Sequence, residues 1–358
     1  MEINMRLSKF RAIMKEQGYD AAVLTNIVSQ RYISRFNFTD GYVVIGREKA
    51  AILADFRYIE AAKAAAGDDF EVILISREQK NVLPDTLSRY GAKTVAYEDN
   101  YITCSAFDAL KTKLSDFELV AMGNVLDDLR EIKDDEEFEA VTRAQRIAEA
   151  AFRHVLDLIN PEMTEIELAA ELEYFMRRAG SDEPAFPTIA ISGASTSLPH
   201  GEPANRKLSR GFITMDYGAT VDGYRSDMTR TVVLGRADDD MRRLYQTVLD
   251  AQLAALDVIC EGKDMADVDG VARDIIDNAG YRGCFGHGLG HGVGMYIHEA
   301  PSLNPSARGK ILRRGQLVTV EPGIYIEGKY GCRIEDMVAL TSNGPVNLTD
   351  CEKQLIEL

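Results

Sequence analysis

The sequence predicts an α/β unit followed by an α+β unit built from two similar halves. Three observations point there. Helix and short apolar strands alternate over roughly the first 128 residues; near Leu129 the pattern changes to a long, charged, amphipathic stretch; and the remainder contains two segments that resemble one another about 100 residues apart. At 358 residues and 46% hydrophobic, the chain has apolar material for one large or two ordinary domains and shows neither a disordered nor a fibrous composition.

In the first unit a helical start over 7–18 leads to strand-like runs at 21–24, 41–45, 50–53 and 70–75, with a further run at 94–96. It holds no glycine-rich strand-to-helix loop of the nucleotide-binding type and no catalytic constellation. We expect the boundary at residue 128, giving domains 1–128 and 129–358. In the second unit, Phe138, Val141, Ala144, Ile147, Ala148 and Phe152 fall at helical spacing within 134–158. Asn160-Pro161 ends that helix, because proline disfavours helical geometry in the residue before it. A second helix is expected from Thr164 to Ala179, closed by Gly180. Its start, Met163-Thr164-Glu165-Ile166-Glu167, resembles Met265-Ala266-Asp267-Val268-Asp269. Each copy is followed by two strands bearing a pair of carboxylates, 212–218 with 224–234 and 316–321 with 332–340. Two such halves facing one another would gather the four acids in one cleft; chance helix composition accounts for the likeness equally well.

Charge and cysteine usage narrow the function. With 41 Lys and Arg against 57 Asp and Glu the net charge is −16, which repels nucleic acid and anionic membranes. No run approaches the ~20 apolar residues of a membrane span and no leader-like start is present, so a cytoplasmic location is expected. Cys104, Cys260, Cys284, Cys332 and Cys351 are odd in number and scattered, as for thiols in a reducing compartment.

The chemistry concentrates in three places. Asp216 and Asp227 flank the turn signal Asp222-Gly223, so a hairpin would set both on one face; two aspartates on a wet strand face is the competing reading. Glu321 and Glu335 interrupt Val- and Ile-rich strands either side of a turn expected at Gly328-Lys329-Tyr330-Gly331, and a buried carboxylate there needs a cation or hydrogen bonds. Arg333 would satisfy one glutamate as a structural ion pair but not all four acids. Between the hairpins, His287, His291 and His298 fall within 285–301 among alternating glycines, which let backbone approach a ligand closely. The glycine spacing matches neither the dinucleotide nor the P-loop pattern. His154, alone on its helix, reads as an ordinary core or surface histidine. One imidazole and four carboxylates suit a pair of borderline to hard divalent ions, which together acidify water and polarise a carbonyl for hydrolysis.

In order and spacing, Asp216, Asp227, His291, Glu321 and Glu335 resemble the metal-binding signature of the pita-bread metallopeptidases, the family of Xaa-Pro aminopeptidases, prolidases and methionine aminopeptidases. The resemblance covers nearly the whole chain and implies a creatinase/prolidase-like N-terminal domain ahead of a pita-bread catalytic domain with a pseudo-twofold repeat. It implies two divalent ions per chain, manganese first, with cobalt, iron or zinc as alternatives. Asp216 would bind one ion, Asp227 and Glu335 both, and His291 and Glu321 the second. Glu321 would also shuttle a proton, and His298 would steady the tetrahedral intermediate. His200 and His287 match substrate-side histidines, and Arg333 and Tyr325 match groups that orient the first metal aspartate.

What the resemblance implies is hydrolysis of an N-terminal Xaa-Pro bond in short proline-containing peptides by a homodimer. Ser302 stands where some dipeptidases carry a basic residue that contacts the carboxylate of a dipeptide, so the sequence leans to an Xaa-Pro aminopeptidase. The alternatives are an Xaa-Pro dipeptidase and, in a different class, a non-catalytic peptide- or partner-binding module.

Overall fold

The apolar runs of the first third of the chain become one mixed sheet in the computed structural model, which describes residues 5–358 except 77 and 80. Strands β1 (Ala21–Leu24), β2 (Gly41–Gly46), β3 (Ala50–Ala54), β4 (Glu71–Leu74), β5 (Thr94–Tyr97) and β6 (Glu118–Ala121) lie in the order β4-β3-β2-β1-β5-β6. The central pairings β1–β2 and β2–β3 are antiparallel and the outer pairings parallel. Parallel neighbours need crossovers, and helices provide them: α3 (Ile59–Ala65) joins β3 to β4 and α5 (Cys104–Lys113) joins β5 to β6, while α1 (Met5–Gln17) precedes β1, α2 (Ile27–Ser34) links β1 to β2 and α4 (Val82–Arg89) links β4 to β5. β1 and β3 are buried throughout, which is why they read as continuous apolar runs. Edge strand β6 alternates poorly and exposes Glu118 and Ala121, so the sequence reading passes over it. Helix α6 (Val125–Glu131) spans the division between the two compact units, Met1–Leu129 and Arg130–Leu358.

The second unit repeats one plan. In its first half α7 (Asp135–Leu156) and α8 (Glu165–Arg178) pack over β7 (Ile189–Ser192), β8 (Gly211–Tyr217) and, beyond the short ribbon β9 (Thr220–Val221)/β10 (Tyr224–Arg225), β11 (Met228–Leu234). In the second half α9 (Asp239–Val258) and α10 (Met265–Ile276) pack over β12 (Gly290–Gly292), β13 (Glu299–Leu303), β14 (Leu317–Val320), β17 (Asp336–Thr341) and β18 (Gly344–Asn347), with β15 (Gly323–Ile326)/β16 (Tyr330–Arg333) as the short ribbon. Both helices of the first pair start in capping boxes, Asp134 with Glu137 and Thr164 with Glu167, so the chain enters each at a defined residue.

Two details differ from the sequence expectation, and both matter for the site. The long strands expected at 224–234 and 332–340 are each broken, at Ser226-Asp227 and at Ile334-Glu335, because the outer ladder gives way there to the short ribbon. The second turn lies at Ile326–Lys329 rather than 328–331. Gly328 takes the left-handed φ of 69° the turn requires, whereas Gly331 is a strand residue whose missing side chain makes room for the Thr196 carbonyl.

A buried ionic cluster joins the halves behind the broken strands. The Arg230 side chain, 1% exposed, donates from Nη1 to Glu335 O at 2.6 Å and from Nη2 to Asp336 Oδ1 at 2.8 Å, and Lys353 Nζ reaches the other Asp336 oxygen at 2.7 Å. The last residues then pair alongside Val233, so the chain end is strapped across β11. Among the described residues, no helix is long and apolar enough to cross a membrane.

Candidate metal centre

The four acids sit at the points where each outer ladder ends. β8 and β11 pair from Gly211↔Leu234 to Tyr217↔Met228, so Asp216 faces Thr229 and Asp227 stands just before β11. β14 and β17 end at Val320↔Asp336, leaving Glu321 and Glu335 one residue beyond. His291 is central in β12, which joins β14 through Gly292↔Val318. The glycines around His291 make room for backbone: a Cβ at Gly290 would overlap the Thr319 carbonyl and one at Gly292 the Ala300 carbonyl, while Gly288 and Gly290 also line the cavity described next. They let neighbouring strands close on the histidine.

Nine of the ten singled-out residues, all but Tyr325, line one cavity of about 830 Å³. Asp227, His291 and Glu335 each offer a ligand atom, all within 4.8 Å of one another. His291 Nε2 lies 3.6 Å from Asp227 Oδ2 and 3.4 Å from Glu321 Oε1. Its Nδ1 is 3.1 Å from the Gly292 carbonyl, which only accepts, so the proton belongs on Nδ1 and the Nε2 lone pair faces the acids. Asp216 accepts from Arg333 Nη2 at 2.5 Å through Oδ2, while its Oδ1 is buried with no hydrogen-bond partner among the described residues. Arg333 thus pairs with an aspartate, not with a glutamate.

Arg333 also donates from Nη1 to Tyr325 Oη at 2.7 Å and to Pro199 O at 3.2 Å, and from Nε to Thr229 Oγ1 at 3.0 Å. Tyr325 therefore reaches Asp216 only through Arg333; its hydroxyl is 3.0 Å from His287 Nε2. His287 Nδ1 lies 2.9 Å from Gly288 O, so by the same argument Nε2 accepts from the tyrosine. The His298 ring is 4.2 Å from that of His291. His200 lies near enough to His287 and His298 for its charge to lower both. The segment carrying His200 is held at its ends by buried Glu165, which accepts from Ser192 N at 2.8 Å and from Ala204 N at 3.1 Å.

Thr229 and Thr319 are absent from the sequence reading. Thr229 Oγ1 donates to Glu335 Oε2 at 2.7 Å and Thr319 Oγ1 to Glu321 Oε1 at 3.2 Å. The available signal is spacing: Thr229 is two residues from Asp227 and Thr319 two from Glu321, the period that returns an extended chain to the same face. His154 takes the ordinary role expected of it, 2.7 Å from Glu171 and stacked on Phe175.

Four carboxylates around one arginine leave an excess of negative charge, which together with burial favours the protonated carboxyls. Burial first, then Glu335 and Asp216, holds the Asp227 carboxyl well above its usual range; burial and Glu321 do the same to Glu335. Burial pushes Glu321 up to about 8, against the pull of Arg333. Burial lowers His287 and His291 to about 4, which keeps the His291 imidazole neutral and leaves its Nε2 lone pair free to act as a ligand. The orphaned Asp216 oxygen, the inward Nε2 and the uncompensated acids are what a divalent cation would satisfy, and an O/N donor set suits hard to borderline ions. The residues fit a metal.

Comparison with known proteins bears on the same residues. Residues 139–342 match metallopeptidase family M24, and 6–132 match the creatinase/prolidase N-terminal domain. The chain belongs to metallopeptidase family M24. A solved Xaa-Pro dipeptidase from Bacillus anthracis superposes with a TM-score of 0.94 at 37% identity, covering 99% of each chain. An X-Pro aminopeptidase from Thermotoga maritima gives a TM-score of 0.91 at 35% identity, over 95% of this chain and 98% of that one. The Xaa-Pro dipeptidase of Pyrococcus furiosus is 33% identical over 98% of this chain and 99% of its own length. The second unit is accordingly the pita-bread fold of M24 peptidases, and the protein is a hydrolase of that family.

Proposed function

We propose that this M24 peptidase is an Xaa-Pro dipeptidase that works with two divalent ions. The observation that carries the reading is end-to-end likeness to proteins named Xaa-Pro dipeptidases around an intact carboxylate and histidine set. The sequence alone leans to an aminopeptidase on Ser302; a full-length likeness weighs more than one side chain. The aminopeptidase stays as the second reading because of the Thermotoga maritima X-Pro aminopeptidase.

Asp216, Asp227, His291, Glu321 and Glu335 would hold the ions, which we propose to be manganese. When bound, such ions supply positive charge that polarises a carbonyl and acidifies water. Glu321, pushed up to about 8 in the metal-free protein by burial, is suited to take a proton and return it to the leaving nitrogen. His298 is a donor to the oxygen that gains charge at the attacked carbonyl. His200 and His287 hold the substrate's other end, with Arg333 and Tyr325 fixing Asp216 and His287. Phe186, Pro187, Ile189 and Ile297 in the cavity wall give a proline ring apolar surface to bury. A cytoplasmic homodimer completes the proposal.

The discriminating experiment compares kcat/KM on matched Xaa-Pro and Xaa-Pro-Yaa peptides. Faster cleavage of the dipeptide supports the first reading; faster cleavage of the tripeptide transfers the assignment to the aminopeptidase. No cleavage of either by folded protein carrying two metals per chain rejects both.

A further inference from the structure

Helix α10 presents two charged side chains to the protein interior that no step of the proposed reaction uses. Asp269 is 1% exposed, and Arg273, one turn later, forks onto it, Nε to Oδ2 and Nη2 to Oδ1, both at 2.8 Å. The same two groups reach the glycine-rich segment ahead of His291. Arg273 donates from Nη1 to Phe285 O at 2.7 Å and from Nη2 to His287 O at 2.8 Å, and Asp269 Oδ1 accepts from Leu289 N at 3.0 Å. The guanidinium carbon also lies 4.3 Å from the Phe285 ring centroid. Residues 285, 287 and 289 are thus each tied by backbone, whereas a Cβ at intervening Gly286 would meet nothing within 4 Å. Without the ties this segment would have the conformational freedom of a glycine-rich loop. What it carries is the centre of the site: His287, whose Nε2 meets Tyr325, and the Leu289 carbonyl, which accepts from Glu321 N at 2.8 Å.

We propose that Asp269 and Arg273 are positioning residues for the peptidase reaction, acting as a fork that fixes the 285–289 backbone so that His287 and Glu321 keep their places. The catalytic half of this inference rests on the peptidase reading; the structural half does not. Lysine keeps the charge but cannot serve two carbonyls and a carboxylate at once, so Arg273→Lys probes the fork itself.

The experiment uses Arg273→Lys and Asp269→Asn, each alone and combined with His287→Ala, in the full chain. Amide hydrogen exchange of the metal-free proteins should show 285–289 exchanging at least tenfold faster in either single variant, with α7 unchanged. With the metal restored, kcat/KM on the better substrate should fall at least tenfold, mostly through KM. In the His287→Ala background the same change should cost distinctly less than it does alone, because one of the two groups it positions is gone. Unchanged exchange at 285–289, or losses that multiply fully in the double variants, overturns the proposal. Should Asp269→Asn fail to fold, Arg273→Lys decides alone. A wild-type protein that cleaves no peptide defeats the peptidase reading, while hydrogen exchange still judges the fork.

Discussion

Stripping the metal should make the protein lose stability as pH rises from about 5 to 8. In the folded, metal-free protein Glu321 titrates at about 8 instead of its ordinary 4.5, chiefly through burial, and Asp227 and Glu335 are shifted the same way. A carboxyl whose folded pKa is raised binds its proton more tightly in the folded state. Its contribution is therefore complete below the unfolded value near 4.5 and is lost as pH climbs through about 8. The 3.5-unit difference corresponds to about 5 kcal/mol at 1.36 kcal/mol per unit. The Glu321 side chain is 15% exposed in an open cleft, so water screens part of this, leaving on the order of 2–4 kcal/mol. For a unit the size of Arg130–Leu358, that is roughly 5–10 °C in Tm. Calorimetry of chelated and manganese-loaded protein at pH 5, 6, 7 and 8 reads the effect as the gap between the two melting curves, which cancels titrations elsewhere. We expect the gap to widen steadily with pH, and Glu321→Gln to flatten part of the metal-free slope. Gaps that stay constant from pH 5 to 8 would refute the argument that these acids are uncompensated without metal.

Other outcomes follow from single contacts. Asp336→Ala leaves Arg230 and Lys353 facing one another behind Glu335, and denaturant unfolding should show a loss of about 3–5 kcal/mol. Tyr325→Phe removes the hydroxyl between Arg333 and His287; kcat/KM should fall about tenfold while metal content by elemental analysis stays unchanged. Thr164→Ala breaks the capping box of α8 and should cost about 1 kcal/mol by thermal unfolding with the metal-restored rate intact.

How far the sequence reaches depends on the range of each interaction. Capping at Asp134 and Thr164, the turn at Asp222-Gly223 and the buried runs of β1 and β3 are local, and local chemistry is visible in a linear chain. The second turn is displaced because two glycines compete for it: Gly328 is there for its φ, Gly331 for a neighbour 135 positions away, and composition does not separate the two. The same ambiguity affects the glycines about His291, where the close approach is made by neighbouring strands. Convergence of Asp227, His291 and Glu335 is suggested by the chemistry of buried carboxylates, but its geometry depends on ladders that stop at Ser226 and Ile334, and no residue pattern announces a stop inside an apolar run. Supporting charges such as Asp269 with Arg273, or Lys133 with Glu299 at 2.5 Å, read in sequence as ordinary surface residues. Only the folded chain shows that Asp269 and Lys133 are buried and which groups they hold.

The central claim is that this carboxylate and histidine cluster is a two-metal centre that hydrolyses Xaa-Pro bonds, and metal-titrated hydrolysis tests it most directly. Chelated protein is titrated with manganese while metal per chain and the rate on an Xaa-Pro peptide are followed together, with Asp227→Asn alongside. Two equivalents should bind, activity should rise with occupancy, and the variant should reach neither full occupancy nor activity. A folded wild-type protein that takes up no metal would contradict the claim and leave a peptide-binding module in its place.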